Sequence, residues 1–211
     1  MNKKSFKIVF LLLLIACSII SCDNEISIPK PSTHLMVDLP EHSYQKFSDS
    51  SYFSFEIPKL WSVSNDPQRI YDAVIRGYRK DMKDKSALSF FIGKKINGDI
   101  HIQYYKIDTT NTVAKLVNET GVKIDEHKMR AQQVTTKDFI FRDKKVYGTL
   151  FEFVGNSAVN FEFHLTDSVD NFVRTAVILY TTPNYDSLQP TLNYIKTDLV
   201  HLINTFEWKK Q

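Results

Sequence analysis

Residues 133–180, QVTTKDFIFRDKKVYGTLFEFVGNSAVNFEFHLTDSVDNFVRTAVILY, decide the fold of this chain. Four segments within them have strand character and are separated by short polar turns: 133–141, 146–154, 159–165 and 172–180. The third segment alternates most clearly, with the apolar residues Val159, Phe161, Phe163 and Leu165 on one face and the polar residues Asn160, Glu162 and His164 on the other. Alternation of this kind is typical of half-buried strands, and short turns between consecutive strands predict antiparallel pairing.

Three more strands are predicted before this region, at residues 52–57, 87–92 and 99–105. The last two are joined by Asn97-Gly98, a strong hairpin signal. The segments 34–51 and 62–85 show no comparable period, so we predict an irregular start to the domain and a polar loop.

Two helices are predicted from apolar residues at helical spacing. The first covers Val113 to Ile124, and the second runs from Ser187 to Phe206, with Pro190 expected in its first turn. The order β-β-β-α-β-β-β-β-α predicts an α+β domain with a mostly antiparallel sheet of about seven strands and two packed helices. This order resembles the PsbP/Mog1-like sandwich.

The N-terminus has the three parts of a secretory signal. Lys3, Lys4 and Lys7 supply positive charge, and residues 8–20 form an apolar run that is too short to span a bilayer comfortably. The next residues, Ile19-Ile20-Ser21-Cys22, resemble the lipobox of bacterial lipoprotein precursors, in which the cysteine receives a diacylglyceryl group. We favour Cys22 as the lipid attachment site, because the polar residues begin only after it; Leu14-Ile15-Ala16-Cys17 also fits, so Cys17 is the alternative.

The predicted organisation is therefore a signal peptide at 1–21, a lipidated tether at 22–33 and one soluble domain at 34–211. The only basic residues before Cys22 are Lys3, Lys4 and Lys7, so the remaining chain has 24 Lys and Arg against 24 Asp and Glu. This balance gives no support to nucleic-acid binding. Both cysteines lie in the signal region, so the mature domain has neither a disulfide nor a free thiol.

Short motifs along the whole mature chain carry a resemblance to a known family. They are Pro29-Lys30-Pro31, Asp38-Leu39-Pro40, Ser43-Tyr44, Phe53-Ser54-Phe55-Glu56, Pro58-Lys59, Ile100-His101, Lys145-Val146-Tyr147-Gly148, Gly155-Asn156, Leu165-Thr166-Asp167-Ser168, Phe172, Arg174, Pro183-Asn184, Asp186-Ser187-Leu188, Pro190, Asp198, His201-Leu202 and Thr205-Phe206-Glu207-Trp208. In order and spacing they resemble the gliding-motility lipoprotein GldD family of Bacteroidetes. Ser32-Thr33-His34 replaces an Arg-Gly-Tyr-like triplet of that family, which indicates a divergent member.

The resemblance implies a role in gliding and in type IX protein secretion that is structural or assembly-related. It also implies partners in the gliding and secretion machinery and a location in the cell envelope, facing the periplasm, with the choice of membrane left open. A lipid-anchored binding module for a small ligand or an assembly client is the alternative function.

The residues give no sign of catalysis, and we expect no catalytic, cofactor or metal site. Nucleotide, zinc-protease and serine-hydrolase motifs are absent from the sequence. The histidines are scattered singly, so we expect satisfied or surface side chains: His34, His42, His101, His127, His164 and His201. Asp167 and Asp170 are expected to cap a turn. A partner-binding patch would form if Tyr104, Tyr105, Tyr147 and Tyr180 shared one exposed face.

Overall fold

The structure is a computed structural model that describes residues 38–48, 50–83, 85–93, 96–157, 159–181 and 184–210. The predicted signal peptide, both candidate lipid attachment sites (Cys17 and Cys22) and the tether lie outside these residues.

The main sheet contains seven strands from the described residues, and every neighbouring pair among them is antiparallel. In chain order its strands are β3 Ser62–Val63, β4 Ala87–Phe91, β5 Gly98–Lys106, β6 Gln133–Phe141, β7 Val146–Val154, β8 Val159–Thr166 and β9 Asn171–Leu179. Their order across the sheet is β3-β4-β5-β9-β8-β7-β6. The predicted hairpin at Asn97-Gly98 is the β4–β5 connection, and the α+β fold class is confirmed.

A second, three-stranded sheet joins the two ends of the domain. It consists of β1 Tyr44–Phe47, β2 Phe53–Pro58 and β10 Glu207–Trp208, with β2 in the middle. The predicted strand at 52–57 corresponds to β2. The prediction that 34–51 is irregular is wrong where β1 lies, because β1 gains its partners only from antiparallel pairing with β2.

The described residues also form three helices: α1 Pro67–Ile75, α2 Val113–Lys128 and α3 Tyr185–Thr205. The predicted loop at 62–85 is therefore wrong for α1, which begins where the Asp66 side chain accepts the Gln68 N–H and where Pro67 needs no partner for its nitrogen. Among the described residues, no helix is both long and apolar enough to cross a membrane.

Helix α3 begins two residues earlier than predicted, with the Asn184 side chain as its N-cap. Pro190 consequently lies inside the helix instead of in its first turn. Its ring nitrogen cannot donate to a carbonyl one turn back, so α3 keeps this proline at the cost of one backbone hydrogen bond.

Apolar side chains fill both faces of the main sheet. The larger core lies between the sheet, α3 and β2, and it contains Ile195, Leu199 and Phe163. The smaller core packs α1 and α2 on the opposite face and contains Ala73 and Phe153. We predicted Val159 on the face of Phe161, but an irregularity between the two residues turns Val159 into the smaller core.

Strand register fixes which turns lie at each end of the main sheet. Gly98 pairs with Leu179 at one end, where β8 also begins, and we call this the Gly98 end. The β8–β9 turn with Val169 lies at the opposite end. At the Gly98 end, Leu39 and Pro40 from the start of the described chain line an apolar cleft of about 320 Å³ together with residues 92, 93 and 96.

Candidate functional site

Four aromatic rings form a stack that joins the start of the domain to α3. The ring centroids of Tyr194 and His42 are 4.2 Å apart, those of His42 and Tyr44 are 6.3 Å apart, and those of Tyr44 and His201 are 3.5 Å apart. Their planes differ by at most 18°. We call these four residues the histidine–tyrosine stack.

The stack lies over Asp198, whose side chain is completely buried on the core-facing side of α3. One carboxylate oxygen, Oδ1, lies 2.7 Å from Nδ1 of His42 and accepts a 3.0 Å hydrogen bond from the Tyr44 hydroxyl. A buried carboxylate is costly unless hydrogen bonds and charge compensate for it. His42 and Tyr44 supply that compensation at Oδ1, whereas Oδ2 has no hydrogen-bond partner among the described residues; the two contacts fix the first strand of the domain to its last helix.

The electrostatics of this group follow from burial. Burial raises the pKa of Asp198, and hydrogen bonds from His42 and Tyr44 partly oppose that rise. Burial and the nearby Asp198 charge raise the pKa of Tyr44 to about 12. Tyr44 therefore stays protonated at neutral pH and acts as a hydrogen-bond donor to the carboxylate.

The outer side of the stack ends in a second imidazole–carboxylate contact. Nε2 of His201 lies 2.7 Å from Oε2 of Glu56, and the two side chains are 30% and 43% exposed. The backbone N–H of Glu56 donates to the Thr205 hydroxyl, which positions β2 against the end of α3. This outer pair is partly open to solvent.

A polar cleft lies between α1 and α2 on the other face of the sheet. It encloses about 370 Å³ and its lining includes Arg76, Tyr78 and His127. Nε2 of His127 lies 2.7 Å from the Tyr78 hydroxyl and 3.2 Å from Oε1 of Glu162, which is 1% exposed. Burial and the Glu162 charge raise the pKa of Tyr78 above its ordinary value, so this hydroxyl also stays protonated.

Two other histidines lie under α1 and α2. His101 is 2% exposed; its Nδ1 contacts the Ser89 hydroxyl at 2.9 Å, and its Nε2 has no hydrogen-bond partner in the described part of the chain. Burial lowers the pKa of His101 to about 4, and burial also lowers the pKa of His164. Both imidazoles are therefore neutral at pH 7.

The smaller core also buries one compensated ion pair. Asp99 is completely buried, and Oδ1 accepts a 3.0 Å bond from Arg69 while Oδ2 accepts a 2.9 Å bond from Tyr180. The Arg69 guanidinium lies 4.6 Å from the ring centroid of Phe91 and 4.8 Å from that of Tyr180. Arg69 thus holds α1 on the sheet through charge and ring contacts together.

The histidines are thus not all single surface residues. His42, His127 and His201 each face a carboxylate, and His101 is buried with an unsatisfied nitrogen, whereas His34 lies outside the described residues. Between 35 and 156 positions of sequence separate the members of these pairs, so spacing along the chain gave no signal for them.

The other expected site residues have structural roles. Oδ1 of Asp167 accepts the N–H groups of Val169, Asp170 and Asn171, which is the predicted turn-capping role, while the Asp170 carbonyl accepts the Ile107 N–H. The four tyrosines do not share one exposed face. Tyr104 is buried in the larger core, whereas its neighbour Tyr105 points to the opposite face and contacts Arg174.

In the described residues, no three His, Cys, Asp or Glu side chains are grouped as metal ligands would be. The histidine–tyrosine stack and the polar cleft can form hydrogen bonds and bind charged groups. Four residues that carried the family resemblance meet in or beside the stack: Tyr44, Glu56, Asp198 and His201.

Comparison with known proteins identifies the family. A family model described as gliding motility lipoprotein GldD matches residues 24–208. Among solved structures, the chain is similar to the solution structure of cyanobacterial PsbP (CyanoP) from Synechocystis sp. PCC 6803, with a TM-score of 0.44, 12% identity, and coverage of 82% of this chain and 96% of that chain. No match was found among curated proteins. Because the family model covers residues 24–208 of the 211 residues, the chain belongs to the gliding motility lipoprotein GldD family.

Proposed function

We propose that this protein is a lipid-anchored, non-enzymatic component of the cell envelope that supports gliding motility and type IX protein secretion. The observation that carries the proposal is the family match, which begins two residues after Cys22 and ends at Trp208. The histidine–tyrosine stack agrees with an assembly role, because it uses residues of the family resemblance to fix the tethered start of the domain to α3.

Gene deletion and complementation test this proposal. In a strain that lacks the gene, we expect colony spreading and secretion of type IX cargo to fail, and the intact gene to restore both. Cys22→Ala should not restore them, because the domain would lose its anchor. Cys17→Ala is the matched control, since it removes the other lipobox cysteine, and it should restore both traits. Normal spreading and secretion in the deletion strain would contradict the proposal.

The polar cleft between α1 and α2 favours a second candidate function, a lipid-anchored binding module. If ligand binding at the cleft is the main function, Arg76→Gln with Arg130→Gln should abolish spreading while the protein stays anchored and abundant. If assembly through the stack is the main function, that double variant should still spread. Immunoblots of membrane fractions would show that the double variant and the parent protein are present at equal levels.

A further inference from the structure

The polar cleft gathers basic side chains from two helix ends. Arg76 follows α1, Lys123 lies in the last turns of α2, and Arg130 comes just after α2. The hydroxyl-bearing residues Tyr78 and Ser157 also line the cleft. Such a combination of positive charge and hydroxyl groups is suited to an anionic group such as phosphate.

These positive charges are only partly neutralised. Lys123 contacts Glu126 at 3.1 Å, whereas Arg76 and Arg130 form no ion pair within the described part of the chain. The segments 76–85 and 122–130 together carry eight Lys and Arg against four Asp and Glu, although the chain after the signal region is balanced. The helix dipole favours a cation at the C-terminal end of each helix, where Arg76 and Arg130 lie. The helix dipole does not, however, explain why both arginines line the same cleft.

Exposed apolar side chains flank the basic cleft. Met129, which also lines it, is 82% exposed, and Ile75, next to Arg76 in the chain, is 65% exposed. Surfaces that combine basic residues with exposed apolar side chains bind the interface of anionic membranes, where the apolar groups enter between headgroups.

The cleft lies at the end of the sheet where the chain enters the domain. Ser157 and Val159 line it, and Val159 begins β8 at the Gly98 end. Leu39 and Pro40 lie beside the β4–β5 turn at the same end. Cys22 and Asp38 are 16 residues apart in the sequence. A fully extended chain of that length spans about 55 Å at most. The anchor would therefore keep the point where the chain enters the domain within about 55 Å of the bilayer, which is near enough for the Gly98 end to reach the surface.

We propose that the Gly98 end docks on the surface of the membrane that holds the anchor. In this arrangement Arg76, Lys123 and Arg130 bind the phosphate groups of anionic lipids, and Met129 and Ile75 enter the interface. The proposal rests on the anchor at Cys22 that the proposed function includes, but it concerns the orientation of the domain and not its role in gliding.

A single fluorescent label tests this orientation. Because the chain has no cysteine after Cys22, Met129→Cys gives one labelling site in the lipidated protein, and Val169→Cys gives a matched, 66% exposed site at the opposite end of the sheet. Both proteins, with an environment-sensitive dye, would be reconstituted into vesicles of phosphatidylcholine alone or with about one-third phosphatidylglycerol. We expect the dye at position 129, but not at 169, to shift to an apolar environment in the anionic vesicles.

The arginines provide the second measurement. Each lost charge near an anionic surface weakens docking about fivefold, so Arg76→Gln with Arg130→Gln should lower the ratio of docked to undocked protein about 25-fold. High salt should have the same effect. Equal dye responses at 129 and 169, or no dependence on lipid charge, would overturn the proposal. A response to inorganic phosphate in phosphatidylcholine vesicles would also overturn it, because the cleft would then bind a free anion. A negative result in the vesicle measurements would not change the result of the spreading assay. The docking proposal and the proposed function can therefore be contradicted separately.

Discussion

The hydrogen bond from Tyr44 to Asp198 gives the sharpest test of the histidine–tyrosine stack. Tyr44→Phe removes only the hydroxyl, which donates to the fully buried carboxylate at 3.0 Å, and it keeps the ring that stacks on His201. A hydrogen bond to a charged group contributes about 1.5–3 kcal/mol, so we expect the free energy of unfolding to fall by about 2 kcal/mol. In a domain of this size that loss lowers Tm by roughly 4–8 °C.

Urea unfolding of four proteins measures this contribution: the parent, Tyr44→Phe, Asp198→Asn and the double variant. With Asn at 198 the bond becomes neutral, and the cost of Tyr44→Phe should drop to about 1 kcal/mol. Tyr71→Phe is the control, because Tyr71 is 48% exposed and its hydroxyl forms no hydrogen bond in the described residues, so its effect should stay within about 0.5 kcal/mol. An equal cost of Tyr44→Phe in both backgrounds would refute the idea that the buried charge is what Tyr44 stabilises.

Three further predictions concern the main sheet. A Cβ on Gly148 would lie 1.9 Å from the backbone oxygen of His164, so Gly148→Ala should lower the free energy of unfolding by more than about 3 kcal/mol in denaturant. Gly121→Ala in α2 is the control: its Cβ has open space around it, so the free energy of unfolding should rise by about 0.5–1 kcal/mol. Arg69→Met leaves the Asp99 charge buried and should cost about 3 kcal/mol, and adding Asp99→Asn should recover part of this loss in the same assay. Burial lowers the pKa of His101 to about 4, so between pH 6.5 and pH 4 this side chain binds a proton only in the unfolded chain. The free energy of unfolding therefore decreases as the pH is lowered through this range. His101→Asn should reduce that loss by up to about 3 kcal/mol when unfolding is compared at about pH 7 and about pH 4.5, and an unchanged pH dependence would contradict the assignment.

The long strands were predictable because apolar residues alternate with polar ones along them, most clearly in β8, or fill them almost continuously, as in β9. In β8 the alternation of Phe161 and Phe163 with Glu162 was visible in the sequence, although Glu162 and its neighbour Asn160 on the polar face proved to be buried. The polar face was expected to meet solvent, and no local pattern indicated that His127 and Tyr78 would cover Glu162. Periodicity therefore located the strand but not the surroundings of its polar side.

The missed elements are those that depend on distant partners. Strands β3 and β10 are two residues long and exist only through pairing with β4 and β2. Helix α1 is only nine residues long and buries only Ala73 fully, so it lacks the long apolar stripe of α3, yet Asp66-Pro67 was a usable signal for its start. The contact between His42 and Asp198 joins residues 156 positions apart, and no local pattern could have predicted it.

The three-stranded sheet also determines how a mechanical load would pass through the molecule. A pull on the tether reaches β1 first, and β1 is hydrogen-bonded only to β2, beginning where Ser43 accepts the Lys59 N–H. Backbone bonds alone would open one after another from that end. The side chains of His42 and Tyr44 share the load at the same point and direct it through Asp198 into α3, a helix of 21 residues. We therefore expect the domain to resist a steady pull on its anchor better than an edge strand alone would allow.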